Sequence, residues 1–190
     1  IFELQDRMTA NVVCAIAPQV QRAEIERAKR KPTDSLSAYD YYLRGMANLH
    51  LGTREATDEA LRQFYKAVDL DPEYAAAYGL AAWCYLWRKI NGWISDRTRE
   101  LDEGSRLARR AVELGKDDAV ALARAGSALT HMASDFDGGL ALLDRATILN
   151  PNLAAAWFLS GFARVWRGDP DCAIAHIAQA MRLSPLDPEM

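Results

Sequence analysis

Three short stretches of the chain share one pattern, and this internal repetition constrains the fold more than any other feature. Residues 67–72, 146–151 and 180–185 each begin with Ala, have Leu at the fourth position and end with Pro. The last two of these prolines are 34 residues apart. A period of this length is typical of arrays of helix pairs, in which each pair stacks on the next and cannot bury its apolar face alone.

The period and the residues at its fixed offsets resemble the tetratricopeptide repeat (TPR). In the last unit, Asp169 followed by Pro170 also supplies an N-cap and a first-turn proline for a second helix. The resemblance implies an all-α, right-handed superhelical array of about four helix-turn-helix units. The positions of the last unit that match the motif are Trp157, Gly161, Ala173, Ile177, Ala180 and Pro185.

Four consecutive units account for most of the chain in a consistent phase. The second unit carries about ten extra residues around Asn91-Gly92-Trp93, which predicts either longer helices or a protruding turn. We place the units at about residues 38–74, 75–118, 119–153 and 154–187.

The part of the chain before the array predicts a separate helix and linker. We assign residues 1–34 to the tail of a preceding domain and residues 35–190 to the array. An apolar residue recurs at every fourth position of the first segment, which is typical of an amphipathic helix. The basic stretch at 27–31 has acidic neighbours, so we interpret it as a solvated helix end rather than a nucleic-acid contact. The apolar stripe consists of Leu4, Met8, Val12, Ile16 and Val20.

Charge and cysteine content exclude several classes of function. With 23 basic and 26 acidic residues the formal net charge is −3, so no overall field draws the chain onto nucleic acid or an anionic membrane. Three widely spaced cysteines favour neither a disulfide framework nor a zinc site, and we expect a reducing, cytoplasmic location. The longest uncharged stretch, residues 74–87, is too short to span a membrane. Because the chain begins with Ile, we expect it to be a piece of a longer protein.

The sequence carries none of the motifs that would indicate catalysis. None of the three histidines has a second His, a Cys or a carboxylate at metal-ligand spacing. There is no Gly-rich phosphate loop, no G-x-S-x-G and no H-E-x-x-H. Asp117 and Asp118 stand where a helix would begin, and we interpret them as capping residues. We therefore expect no enzyme within these residues, no cofactor and no bound metal.

In a TPR array the first helix of each unit lines a concave surface, so the repeat phase identifies the residues of that surface. Here these positions are mostly aromatic or apolar, whereas TPR domains that clamp acidic C-termini carry Lys, Arg and Asn on this face. We expect a groove for an apolar helix or an extended peptide rather than a carboxylate clamp. The candidate groove residues are Tyr42, Met46, His50, Trp83, Trp87, Arg124, His131, Phe158, Phe162 and Trp166, and Tyr39, Leu49, Leu86, Ser127, Thr130 and Val165 occupy further groove-facing offsets.

Other occupants of the groove are also consistent with the sequence. The helix within residues 1–30 could fill it in the same chain, because its apolar stripe needs a partner and an uncovered aromatic strip favours aggregation. A small apolar molecule could fill it and act as a signal. Self-association into a homodimer is a further alternative.

Several segments resemble the region that follows a TolB-like segment in bacterial class III adenylate/guanylate cyclases, which are multidomain signalling proteins. The catalytic domain of that family lies N-terminal to this region and none of its motifs is present here, so the resemblance implies a regulatory or partner-binding segment. Because class III sites form between two catalytic domains, it also implies a role in assembly. A similar arrangement follows the winged-helix DNA-binding domains of some transcription regulators. The segments are residues 1–10 (IFELQDRMTA), 23–32 (AEIERAKRKP), 37–45 (SAYDYYLRG), 91–94 (NGWI) and 107–115 (LARRAVELG).

Overall fold

The computed structural model describes residues 16, 19–20, 23–28 and 36–184, and this part of the chain consists of helices and turns without a strand. Residues 23–28 are helical, and eight longer helices follow within the described part. The helices are α1 (Ala38–Leu49), α2 (Arg54–Leu70), α3 (Ala75–Ile90), α4 (Arg97–Leu114), α5 (Ala119–Met132), α6 (Phe136–Leu149), α7 (Ala154–Arg167) and α8 (Pro170–Leu183).

The helices pair in chain order and the pairs stack. Helix α1 packs on α2, α3 on α4, α5 on α6 and α7 on α8, and the second helix of each pair contacts the first helix of the next pair. The first helices α3, α5 and α7 also contact one another in sequence. This is the arrangement expected of stacked helix-turn-helix repeats, and the predicted all-α array is confirmed.

Glycines allow the two helices of a pair to approach closely. A Cβ atom on Gly45 of α1 would lie 2.5 Å from a ring carbon of Phe64 on α2, which is itself fully buried. A Cβ atom on Gly161 of α7 would lie 2.6 Å from Ile177 Cγ1 on α8. The small and large residues of the repeat motif therefore meet at the contact between the helices of a pair.

Side-chain caps define where the helices begin. At α1, Ser37 and Asp40 form a capping box, in which the Asp40 amide donates to Ser37 Oγ and the Ser37 amide donates to Asp40 Oδ2. Asp118 accepts from two backbone amides of α5, at 2.9 and 3.1 Å, which confirms its predicted role as a cap. Asp169 caps α8, whose first residue is Pro170, again as predicted.

The extra residues of the second unit lengthen both of its helices and also form its connection. Helix α3 has 16 residues and α4 has 18, whereas α1 has 12. In the connection, Gly92 adopts a positive φ of 70°, a conformation that glycine reaches without strain. The buried carboxylate of Glu100 holds the connection by accepting from the Ser95 amide at 2.9 Å. Both predicted consequences of the insertion are therefore present.

The helical residues 23–28 pack against α1. Ile25 and Ala28 are buried in the same apolar cluster as Leu43 of α1. The Tyr39 hydroxyl donates to a carboxylate oxygen of Glu24 at 2.5 Å, which ties the segment to the start of α1. The division of the chain at residue 34 into a preceding segment and the array stays a prediction.

Two residues of the predicted apolar stripe lie within the described part of the chain, and both are half exposed. Ile16 and Val20 are each 50% exposed. Leu4, Met8 and Val12 lie outside the described residues. The prediction that the helix within residues 1–30 fills the groove therefore remains untested.

Candidate functional site

The first helices α3, α5 and α7 contact one another in sequence, and some of the predicted groove residues on them are in contact between helices. On α3, the rings of Trp83 and Trp87 stack one turn apart with centroids separated by 6.0 Å. On α7, the rings of Phe158 and Phe162 lie 4.8 Å apart. Trp83 and Phe158 both pack against the apolar cluster of α5, α6 and α7. We call the surface formed by Trp83, Trp87, Arg124, His131, Phe158, Phe162, Val165 and Trp166 the aromatic groove.

Arg124 connects α5 to α3 within this groove. Its guanidinium lies 4.6 Å from the centroid of the Trp83 ring, which is a favourable distance for a cation–π contact. The charge of Arg124 is thus placed against the face of an aromatic ring. The groove remains predominantly apolar on this side although it contains an arginine.

His131 connects α5 to α7 at the other end of the groove. Its ring meets the edge of Trp166 with centroids 6.0 Å apart and an interplanar angle of 84°. Burial and the nearby Lys89 ammonium both lower the pKa of His131, so its ring is neutral at pH 7. Lys89 of α3 donates a hydrogen bond to the His131 carbonyl of α5. Together with the contact between His131 and Trp166, this bond connects α3, α5 and α7.

The exposed part of the aromatic groove lies on α7. Phe162 is 47% exposed, Val165 56% and Trp166 68%, although all three are apolar. They share one face of α7, because residues three or four positions apart are neighbours on a helix. A contiguous apolar surface of this kind marks a site of interaction more often than it occurs by chance.

Other predicted groove residues lie beneath the surface. Leu86, Ser127 and Thr130 are all buried, and the Thr130 hydroxyl donates to the Gly126 carbonyl of its own helix at 2.9 Å. These side chains support the groove from below and are not available to a partner. The repeat phase predicts the direction of these side chains, but it does not indicate how deeply the neighbouring helices cover them.

The candidate residues of α1 differ in how far they are buried. Tyr42 is only 8% exposed, because its ring is covered by Tyr74 at 5.1 Å and by Phe64 at 6.1 Å between centroids. Burial raises the pKa of Tyr42 to about 12. Met46 is half-buried, and His50 is exposed just beyond the end of α1. Tyr42 is therefore placed to stabilise the fold, while Met46 and His50 stay accessible.

Reactive groups outside the groove show no catalytic arrangement. Within the described ranges, no group of three or more His, Cys, Asp or Glu side chains could hold a metal ion. His176 shares a hydrogen bond of 3.0 Å with the buried Ser160 hydroxyl and lies against the Trp157 ring, which is a structural role. Burial raises the pKa of the Cys84 thiol, and a hydrogen bond to Asp169 raises that of Cys172, so neither is an activated nucleophile.

A second concave region lies away from the aromatic groove, between α2, α3 and α4, with a volume of about 1050 Å³. Its charged groups pair with one another: Arg106 with Glu103 at 2.7 Å and Arg88 with Glu100 at 3.2 Å. The Tyr65 hydroxyl donates to Glu103 as well. The repeat pattern does not indicate this cleft, because most of its residues come from the second helices α2 and α4 and from the insertion.

Relatives of known name include two proteins at 27% identity to the chain. One is a protein of Rhizobium meliloti (strain 1021) named as adenylate cyclase 3, matched over 113 residues, which are 60% of this chain and 19% of the relative. The other is the transcriptional regulator HilA of Salmonella typhimurium, matched over 152 residues, which are 80% of this chain and 27% of HilA. The chain thus spans less than a third of either relative. No protein-family model matches it.

Solved structures with the same fold were found over most of the chain. The TPR protein TTC0263 of Thermus thermophilus aligns with a TM-score of 0.68 at 19% identity, covering 97% of this chain and 93% of that one. PilF of Pseudomonas aeruginosa aligns with a TM-score of 0.55 at 20% identity, covering 80% and 63% of the two chains. Among the described helices, none combines the length and the hydropathy that crossing a membrane requires. The described part of the chain therefore has the fold of a tetratricopeptide-repeat array.

Proposed function

We propose that this chain is a non-catalytic protein-interaction module whose aromatic groove holds an apolar segment of a partner protein. The observation that carries the proposal is the exposed apolar face of α7, where Phe162, Val165 and Trp166 continue the row begun by Trp83 and Trp87. Aromatic side chains of this kind provide much of the binding energy of protein interfaces. A groove of fixed width between rigid helices suits an amphipathic helix or an extended peptide.

A small apolar molecule is the competing occupant of the groove. Sites for small molecules enclose most of the surface of their ligand. The 68% exposure of Trp166 instead favours a flat contact with a larger partner. This is our reason for preferring a protein segment over a metabolite.

In a longer protein, such a module would regulate or assemble an output domain. The relative named as an adenylate cyclase supports the regulatory part of a bacterial nucleotide cyclase as the context. The HilA relative supports the alternative, a repeat region that accompanies a winged-helix domain. In either context the chain itself would contact protein rather than nucleic acid, because its net charge is −3. A cytoplasmic location suits a nucleotide cyclase and a transcription regulator alike.

The central experiment compares peptide binding by the chain and by two alanine variants. A displayed library of random peptides is selected against the unaltered chain, and the affinity of an enriched peptide is measured by fluorescence anisotropy. Trp166→Ala should lose most of this binding. Ile174→Ala is the matched control, because Ile174 is 67% exposed but lies on α8 outside the groove. Equal binding by Trp166→Ala and the unaltered chain would refute the groove as the site.

A second experiment tests whether the chain occupies its own groove or pairs with another copy. The mass in solution and the affinity for the same peptide are measured for residues 1–190 and for residues 35–190. Tighter peptide binding after removal of the first 34 residues would show that this segment competes for the groove. A dimer that dissociates on the same truncation would instead assign the segment to self-association, and no change in either quantity would exclude both roles.

A further inference from the structure

Two cationic residues and a histidine lie near one another at one end of the aromatic groove. Lys89 lies in the last turn of α3, His131 in the last turn of α5, and Arg97 is the first residue of α4. The Lys89 ammonium donates to the His131 carbonyl, and Arg97 is near enough for its charge, after burial, to lower the pKa of Lys89. We call Lys89, Arg97 and His131 the basic corner.

The basic corner has no carboxylate of its own. Across the described residues, Lys89, Arg97 and His131 form no ion pair, although the chain has 26 acidic and only 23 basic residues. Elsewhere on the molecule, arginine side chains commonly form ion pairs with carboxylates. The arginines that pair with carboxylates are Arg62, Arg88, Arg106, Arg110, Arg145, Arg164 and Arg167.

The uncompensated charge adjoins the exposed apolar face. The His131 ring of the corner is in edge contact with Trp166, the most exposed aromatic residue of the groove. A segment lying on Trp166 would therefore bring its neighbouring residues to Lys89. Of the three ammonium protons of Lys89, one is used by the His131 carbonyl, which leaves donors for a ligand.

We infer that the aromatic groove binds a protein segment that carries an aspartate or glutamate beside its apolar anchor, with the side-chain carboxylate held by Lys89 and Arg97. This inference rests on the proposed function and specifies the chemistry of the partner. The carboxylate comes from a side chain and not from a chain terminus, because the first-helix face that clamps a terminal carboxylate in other TPR domains is mostly aromatic or apolar here. Partial burial of Lys89 strengthens its attraction to such a group, since the local dielectric is lower than that of water.

The test uses the same displayed peptide library, joined through the C-termini of the peptides so that none presents a free terminal carboxylate. Among enriched sequences we expect an excess of Asp or Glu next to an aromatic or large aliphatic residue. An enriched peptide is then synthesised with both ends capped, together with a version in which its acidic residue is replaced by the amide. The amide version should bind the unaltered chain about fivefold more weakly, the effect of losing a partly exposed ion pair.

Variants of the chain assign this preference to the basic corner. Lys89→Gln should bind the acidic and amide peptides equally, whereas Lys116→Gln, in the exposed connection before the other end of α5, should keep the preference. The inference is overturned if the enriched peptides lack acidic residues, or if the amide version binds as tightly as the acidic one. In that case the proposed function still holds, provided that binding depends on Trp166. Binding of a single-stranded oligonucleotide that Lys89→Gln abolishes would also overturn it. If Trp166→Ala binds every peptide as the unaltered chain does, the proposed function fails and the inference fails with it.

Discussion

Gly126 of α5 and Gly139 of α6 face each other at the point where the two helices meet. A Cβ atom on Gly126 would lie 2.8 Å from the Gly139 carbonyl oxygen, and one on Gly139 would lie 2.7 Å from the Gly126 carbonyl oxygen. Neither backbone can yield without separating the helices. Two glycines therefore determine how closely the third pair packs, and Thr130 is buried beneath this contact.

Gly139→Ala should destabilise the chain, although alanine is the better helix former. The new methyl group meets the Gly126 carbonyl and the Thr130 side chain, so overpacking should cost about 1–3 kcal/mol and outweigh the gain in helix propensity of up to about 1 kcal/mol. The urea midpoint of unfolding followed by circular dichroism measures the difference. Gly138→Ala is the control, because the atoms nearest its new methyl belong to the side chain of Asp135, the N-cap of α6, and not to the facing helix, so its cost should not exceed the loss of that cap, about 1 kcal/mol. A larger loss for Gly138→Ala would contradict this account.

Gly161→Leu should disrupt the last pair. Its side chain would extend into Ile177, whose Cγ1 already lies 2.6 Å from a Cβ at position 161, so we expect a loss of about 2 kcal/mol or more. Ala175→Leu adds the same side chain at an exposed position of α8 and should change stability little. An unchanged midpoint for Gly161→Leu would show that the repeat phase of the last unit is incorrect.

The repeat phase predicts the fold well because the same contact recurs in every pair. Gly45 with Phe64 and Gly161 with Ile177 occupy equivalent positions, so the match of one unit predicts the packing of another. The length of the second pair is harder to predict, since an insertion can extend a helix or a connection at similar cost. In this chain both are extended, and a buried carboxylate, that of Glu100, stabilises the connection.

Truncation of Tyr42 and of Trp166 to alanine should change the free energy of unfolding by very different amounts, although both residues were predicted to line the groove. Tyr42→Ala should reduce the free energy of unfolding by about 3 kcal/mol, because the ring is buried against Tyr74 and Phe64. Trp166→Ala should change it by less than about 0.5 kcal/mol, because Trp166 is mostly exposed. Chemical denaturation of the two variants provides the comparison. If Trp166→Ala proves the more destabilising, Trp166 is part of the core.

Stability should decrease as the pH falls below about 6.5, the pKa of histidine in the unfolded chain. Burial, reinforced by Lys89 and by Arg164 respectively, lowers the pKa of His131 and of His176 in the folded protein. The unfolded state therefore binds more protons in this range, and the stabilisation present above pH 6.5 is lost toward the lower folded pKa values.

The pH effect is measured as the urea midpoint at pH 7.5 and at pH 5.5. His176→Gln should reduce the difference between the two midpoints, because it removes one of the groups that must stay neutral. His50→Gln, at an exposed position, serves as the control for substitution itself. A urea midpoint that is higher at pH 5.5 than at pH 7.5 would contradict the predicted direction of the pH effect.

The candidate site was predicted only in part, for a physical reason. Offsets within a repeat predict the direction of a side chain, and on this basis Trp83, Phe158 and Trp166 are predicted to share one face. Lys89 and Arg97 lie at the end of α3 and the start of α4, on either side of the insertion, where the repeat offsets no longer apply. Lys89 in the last turn of α3 was the available signal, but its lack of a carboxylate partner among the described residues, in contrast to Arg88 beside it, is a property of the folded chain.

Because each helix contacts only near neighbours, unfolding can begin at an end of the stack and proceed pair by pair. Helix α8 buries only Ala173 and Ala180, so its amides should exchange with solvent faster than those of α3 to α6. A partner that stabilises α7 should also stabilise α8, because the two helices pack against each other. A partner bound in the groove would then be detected as slower hydrogen exchange in α8, a helix that the partner does not touch.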